Sequence, residues 1–123
     1  MNHFISLEKA VSMTTHYRNR KEALLLDAFK GKNINPVSET FDRTAVEALL
    51  AQNDCTGIRI YYGMQDNDQI HAILVGVDSE NRDILPAAPA TFDTLNLTDS
   101  DTGIVELGIR CPSDCPPKSS LNP

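Results

Sequence analysis

The first regular pattern of apolar positions begins after Ser6. Leu7, Ala10, Val11, Thr14 and Tyr17 follow the i, i+3, i+4, i+7 rhythm of a helix with one buried stripe, and Ser6 is a suitable N-cap. The segment from Arg18 to Arg20 interrupts that stripe. Asn19 followed by Glu22 has the form of a capping box, which predicts a second helix through Phe29 with Leu24, Leu25, Ala28 and Phe29 on its buried face and Gly31 closing it. One bent helix over 7–29 accommodates the same residues. Residues 30–39, with Gly31 and the Asn35-Pro36 signal, read as a loop. Asp42 then caps a further helix carrying Val46, Leu49 and Leu50, which gives out at Gln52-Asn53-Asp54.

From Gly57 to Met64 the period shortens to that of a strand: Ile58, Ile60 and Tyr62 share one face, Arg59 and Tyr61 the other. After the polar turn Gln65 to Asp68, the segment Gln69 to Val77 is apolar on both faces, as in a central strand. The short connection makes an antiparallel hairpin the natural geometry. Asp78 to Asp83 is another polar turn, followed by a short extended piece at Ile84 and Leu85. Periodicity disappears from Pro86 to Gly103, a long irregular connection. Ile104 to Arg110 reads as a last strand with a bulge near Gly108, before a proline-rich tail. Helices first and strands later predict segregation over βαβ alternation. The expected fold is a single α+β domain over 1–123, with two or three N-terminal helices packed on a small antiparallel sheet. Its helical part is 6–53, its sheet part 57–110 and its irregular tail 111–123.

Composition agrees with that picture. The chain has 123 residues, 41% hydrophobic and 23% charged, with six Gly and seven Pro, which argues against disorder, collagen-like repeats and disulfide-dense miniproteins. No apolar run approaches the roughly 18 residues of a membrane span, and Glu8 and Lys9 stand where a signal peptide would be apolar. A cytoplasmic setting is therefore the expectation, and the Asn96-Leu97-Thr98 glycosylation sequon is discounted. The formal net charge of −6 argues against nucleic acid or anionic membrane as partner. The charge is uneven: residues 1–32 hold six basic side chains and three acidic ones, whereas the remainder holds five and fourteen. A basic helix lying on an acidic sheet, a merely solvated surface, or chains stacking basic end to acidic end would each accommodate the split.

The most unusual stretch is the tail, Arg110-Cys111-Pro112-Ser113-Asp114-Cys115-Pro116-Pro117. It resembles the ends of short uncharacterised bacterial proteins of a Bacteroidetes type, which also carry an Ile-Tyr-Tyr-Gly strand like Ile60 to Gly63 and an apolar strand like Ala72 to Asp78. The resemblance implies no function; it implies that tail and hairpin are parts of one domain. The cysteine spacing itself admits three states. Structural zinc needs four ligands, so Cys111 and Cys115 would have to recruit Cys55 with His71, His16 or His3. A Cys111–Cys115 disulfide would close a very small loop, adding little stability through chain entropy and serving to shape or switch the tail. Two free thiols beside prolines are the plainest state. A thioredoxin-like site is poorly supported, because the two-residue spacing and its strand-then-helix context are missing.

Other candidates are thin. His71 opens the central strand and could act as a base with Asp66 or Asp68 nearby, although a lone histidine there is ordinarily a boundary residue. Asp78-Ser79-Glu80 and Asp99-Ser100-Asp101 lack the glycine and terminal glutamate of calcium loops. The scattered glycines make no phosphate cradle, and Tyr61, Tyr62 and Arg59 could stack single-stranded bases only against an unfavourable charge balance. No constellation supplies nucleophile, base and oxyanion donor together, so the reading leans away from an enzyme. The expected function is a non-catalytic cytoplasmic protein-interaction or self-assembly module, without cofactor, with a protein or a second copy as partner. Arg18, Arg20, Lys21, Arg59 and Tyr61 are its interaction candidates. The alternatives are a thiol-redox or zinc protein centred on Cys111 and Cys115, and a small hydrolase or ligand binder using His71.

Overall fold

Ser6 does open a helix. In the computed structural model, which describes residues 2–86 and 103–123, its hydroxyl accepts from the Lys9 amide at 3.0 Å, and α1 runs over Leu7–Arg20. The predicted continuation does not form. Asn19 lies inside α1, so it caps nothing; the chain turns after Arg20 and makes only a short 3₁₀ turn at Asp27–Phe29. The reason is visible in the packing. Leu24 and Ala28 are exposed and Leu25 and Phe29 only half-buried, so the face meant to drive a second helix has little to bury against. Gly31, with φ of 77°, takes the left-handed conformation that ends the turn.

The segment read as a loop contains a strand, β1 (Ser38–Thr40). Then α2 (Arg43–Leu50) starts at Asp42 as expected, although the Asp42 carboxylate makes no capping hydrogen bond. Strands β2 (Cys55–Met64) and β3 (Ile70–Asp78) form the predicted hairpin, closed by the Gln65 amide donating to the Gln69 carbonyl at 3.0 Å. The short piece expected at Ile84 and Leu85 is β4 (Asp83–Ile84), one residue earlier. The last expected strand is split into β5 (Ile104–Val105) and β6 (Ile109–Cys111), with Leu107 in a left-handed conformation between them. The irregular connection at 86–103, with its sequon and its Asp99-Ser100-Asp101 run, falls almost wholly outside the described residues.

The described residues thus form a mixed α/β structure with two α-helices and two antiparallel sheets, not helices on a single sheet. One sheet has β3 between β2 on one side and β4 and β5 on the other; the other pairs β1 with β6. The two are joined through β3. The Ile70 amide donates to the Ile34 carbonyl at 2.9 Å, and the Ala72 amide donates to the Glu39 carboxylate at 3.0 Å. Arg110 completes the joint, its guanidinium donating to the carbonyls of Ile70, Asn33 and Ile34 at 2.7–3.2 Å. Gly108 leaves the space for this contact: a Cβ there would stand 2.7 Å from the Phe41 ring and 2.8 Å from the Glu39 carboxylate.

Cross-strand pairing fixes which side chains share a face. Ile58, Ile60, Tyr62 and Met64 of β2 lie with Ile70, Ala72, Leu74 and Gly76 of β3; Arg59, Tyr61 and Gly63 lie with Val75, Ile73 and His71. Helix α2 packs on this sheet, touching β2, β3 and β5. It sits on the first of these faces, since a Cβ on Gly76 would meet the Gln52 side chain. Leu49, 1% exposed, is its anchor. The buried apolar residues are Ile34, Leu49, Leu74, Val75, Val77 and Cys111, so the core follows β3 and its joint to the second sheet. By contrast α1 has no buried residue and is tied to the rest by polar bonds: the Tyr17 hydroxyl donates to the Pro36 carbonyl at 2.6 Å, and Arg18 donates to the Leu121 carbonyl at 2.9 Å.

Candidate functional site

Three groupings of side chains bear on function. The first is the edge strand β2. Among the described residues its inner side bonds to β3 and no strand lies on its outer side. Which residues point outward follows from β3. The amides of Ile70 and Ala72 point away from β2, so their partners Met64 and Tyr62 form non-hydrogen-bonded pairs with β3. By alternation, the backbone N–H and C=O of Ile58, Ile60, Tyr62 and Met64 face outward. The same four residues carry the apolar face beyond α2, and Ile60, Tyr62 and Met64 are 50%, 79% and 60% exposed. The strand has ten residues, no proline and no lysine, and its one charged side chain is Arg59. Beyond the irregularity at its Cys55–Gly57 end and Arg59, which is turned to Asp83, no device that blunts an exposed edge is present among the described residues.

Arg59 and Tyr61 belong to the opposite face and meet there on Asp83. The Arg59 guanidinium donates to Asp83 and to the Asn81 side chain, and the Tyr61 hydroxyl donates to the second Asp83 oxygen. The hydrogen bond from Tyr61, with the Arg59 bond and charge, holds the Asp83 carboxyl below its ordinary range; the same carboxylate raises the Tyr61 phenol and the Arg59 guanidinium. Two of the five interaction candidates are thereby brought together, but as a closed intramolecular network. Arg18 is engaged by the tail, Lys21 reaches Glu22 at 4.0 Å, and Arg20 ends α1 in solvent. The basic N-terminal segment does not lie on an acidic sheet. Among the described residues its ion pairs, Lys21 with Glu22 and Lys30 with Asp27, are both internal to it.

The second grouping surrounds His71, which is 8% exposed on β3 opposite Gly63. Its carboxylate neighbour is not Asp66 or Asp68, as expected from proximity in sequence, but Glu106, whose Oε1 lies 3.0 Å from Nδ1. The approach is a close contact without hydrogen-bond alignment, so both ring nitrogens and Glu106 Oε1 are buried without a hydrogen-bond partner among the described residues. A carboxylate hydrogen-bonded behind an imidazole is the orienting half of a nucleophile-activating relay, and Glu106 is placed near that position without making the bond. The other half is missing here: no hydroxyl or thiol bonds to His71 among the described residues, and neither the 400 Å³ cavity beside Thr56 and Asn81 nor the 340 Å³ cavity beside Arg110 and Ser113 is lined by the pair. Sequence reasoning missed Glu106 and Asp83. The alternation of Ile104, Glu106 and Gly108 would have put Glu106 on one strand face, but which side chain it met depended on register.

The third grouping is the cysteine pair. Cys111 and Cys115 are joined in a disulfide with Cα atoms 4.5 Å apart, the Pro112 to Asp114 segment turning back as that span requires. They are therefore not the free thiols of the plainest sequence reading. Cys111 is 2% exposed and Cys115 exposed. Cys55 is a free thiol whose hydrogen bond goes to the Gly57 carbonyl, well away in the chain. Among the described residues no group of three or more His, Cys, Asp or Glu side chains could hold a metal ion, so Cys55, His71, His16 and His3 do not gather with the pair as a zinc site would need. Nor is any helix among the described residues long and apolar enough to cross a membrane. Comparison with known protein families, with curated proteins and with solved structures finds no match to this chain.

Proposed function

We propose that this protein is a non-catalytic protein-interaction module that works by strand addition along the outer edge of β2. The observation that carries the reading is the ten-residue edge, bare among the described residues, with outward backbone groups at four alternate positions, three of which, Ile60, Tyr62 and Met64, are exposed. Main-chain bonds along such an edge supply affinity, and pockets between alternate side chains supply selectivity. A cytoplasmic setting suits this role, and no cofactor is needed for it.

A residue-specific test follows from the register. A synthetic peptide copying residues 57–64 is titrated into isotopically labelled protein held dilute enough to be monomeric, and amide exchange is followed by NMR. The amides of Ile58, Ile60, Tyr62 and Met64 should slow while those of Arg59 and Tyr61, already bonded to β3, change little. Unchanged exchange at the four outward amides at saturating peptide would overturn the reading.

The disulfide favours a second reading, a thiol-redox role for Cys111 and Cys115. An attacking thiolate would reach the exposed Cys115 sulfur and expel Cys111 as a thiolate into an apolar site, which disfavours the leaving group. In a reducing compartment the bond would have to be transient. The edge reading needs no such rearrangement.

A further inference from the structure

Resting on the strand-addition reading, we infer that the occupant of the β2 edge is a second copy of this chain, paired antiparallel about a two-fold axis at Tyr61. The register follows from three features. Only Ile58, Ile60, Tyr62 and Met64 present backbone groups outward, so a two-fold ladder must pair these positions with one another. An axis at Tyr61 pairs Ile60 with Tyr62 of the second copy and Ile58 with Met64 of the second copy, in both directions, and leaves none of the four unmatched. Each such pair exchanges two backbone bonds.

Side chains then separate this register from its neighbours. An axis at Arg59 would pair Tyr62 with Thr56, at the irregularity between Cys55 and Gly57, and would set Met64 against Asp54, beyond the end of the strand. An axis at Ile60 would pair Met64 with Thr56, at the irregularity between Cys55 and Gly57 where the ladder to β3 shifts. With the axis at Tyr61, Arg59 stands opposite Gly63, which has no side chain to meet it, and the two Tyr61 rings face each other.

The edge itself offers no free charge for a partner of opposite sign to pair with. Within β2 the one charged side chain, Arg59, is already neutralised by Asp83 inside its own chain, so the edge presents an uncharged strip on a molecule of net charge −6. A strongly charged partner has nothing there to pair with, whereas another copy brings an identical uncharged strip. Ile60, Tyr62 and Met64 of both chains would form one continuous apolar ribbon on the α2 side of a joined sheet, covering surface that each chain alone leaves in water.

Sedimentation and cross-linking of the full chain test this. At high micromolar concentration the protein should sediment at twice 13.6 kDa, and Tyr62→Lys should weaken the dimer at least tenfold while the far-UV spectrum stays unchanged. Tyr61→Cys in a Cys55→Ser background should cross-link under mild oxidant, since directly opposed Cα atoms in a non-hydrogen-bonded pair lie about 4.5 Å apart. Gln65→Cys, about 27 Å from its symmetry mate at the rise of an antiparallel strand, should not. If Tyr61→Cys folds poorly, Tyr62→Lys and the Gln65→Cys control still decide the matter. A chain that stays at 13.6 kDa overturns the second copy as occupant, and continued binding of the 57–64 peptide would then leave the strand-addition reading standing. A dimer that cross-links through Gln65→Cys, or resists Tyr62→Lys, overturns the register.

Discussion

The disulfide in the tail allows a prediction in which two adjacent-looking substitutions should differ. Cys111 and Cys115 are four positions apart, and a loop of that size constrains the unfolded chain by about 2 kcal/mol on the chain-entropy relation. Reduction of the wild type, or Cys115→Ser, should lower stability by no more than this, because Cys115 is exposed and its removal leaves nothing unpaired. Cys111 is different. It is 2% exposed, and its backbone carbonyl accepts from the Val37 amide at 2.7 Å while β6 pairs it with Ser38. A serine hydroxyl placed there without a partner costs a further 1–3 kcal/mol, roughly. Cys111→Ser should therefore total about 3–5 kcal/mol, a large share of the 5–15 kcal/mol that holds a domain of this size. The assay is urea denaturation with and without reductant. Cys115→Ser should lower the midpoint by about 1 M and become insensitive to reductant, while Cys111→Ser drops it further. Equal losses for the two variants, or a reductant effect in either, would refute the reasoning.

Two further outcomes follow from neighbouring residues. Leu49→Ala should cost about 2–5 kcal/mol, because Leu49 is 1% exposed beneath α2, whereas Leu50→Ala should cost under about 1 kcal/mol, because Leu50 is 49% exposed; chemical denaturation of both variants checks the contrast, and a reversed order would show that α2 docks through its other face. Asp83 is depressed chiefly by the Tyr61 hydrogen bond, so its contribution is fully present above the unfolded carboxylate value near 3.9 and is lost as pH falls through the lower folded value; Asp83→Asn should flatten the acid limb of a Tm-against-pH curve, and parallel curves for variant and wild type would count against the network.

What could be read from the residues was whatever depended on local spacing. The hairpin is legible because β2 alternates, β3 is apolar on both faces, and Gln65 to Asp68 supplies a turn with Asp68 in the left-handed region that aspartate tolerates. Ser6 and Asp42 mark helix starts for the same local reason. Leu24 to Phe29 carries an equally good helical stripe, yet among the described residues little surface comes to meet it, Leu25 and Phe29 being only half-buried, and propensity alone does not sustain a helix of that length. Strand β1 is only Ser38-Glu39-Thr40, held by its register with Ile109 to Cys111 some seventy positions later, and nothing local in those three residues announces it. The same applies to the functional groupings: the alternation that puts Ile58, Ile60 and Tyr62 on one face of β2 was legible, but it reads as half-buried, and that Ile60 and Tyr62 stay exposed, like the carboxylates that answer His71, Arg59 and Tyr61, is set by tertiary packing and cross-strand register. The cysteine spacing left its alternatives open because four positions allow a bond only where the backbone turns back.

The two flanks of the central strand β3 are finished differently, and that difference bears on where a partner can attach. On its outer side β3 is closed at every step by a different device: the Ile34 carbonyl and Arg110 at Ile70, the Glu39 carboxylate at Ala72, β5 at Leu74 and Val75, β4 at Gly76 and Val77. Several of these are side chains recruited from distant segments to satisfy single backbone groups, the expected response where water cannot do so. Along β2 the outward groups of Ile58, Ile60, Tyr62 and Met64 receive no such partner among the described residues. Water can satisfy those groups, but it cannot cover Tyr62 or Met64 favourably, so a strand laid along this edge would gain both backbone bonds and apolar burial. A strand laid along β3 would first have to displace bonds already made. Of the two flanks of β3, the β2 edge is therefore the one where an added strand has less to undo.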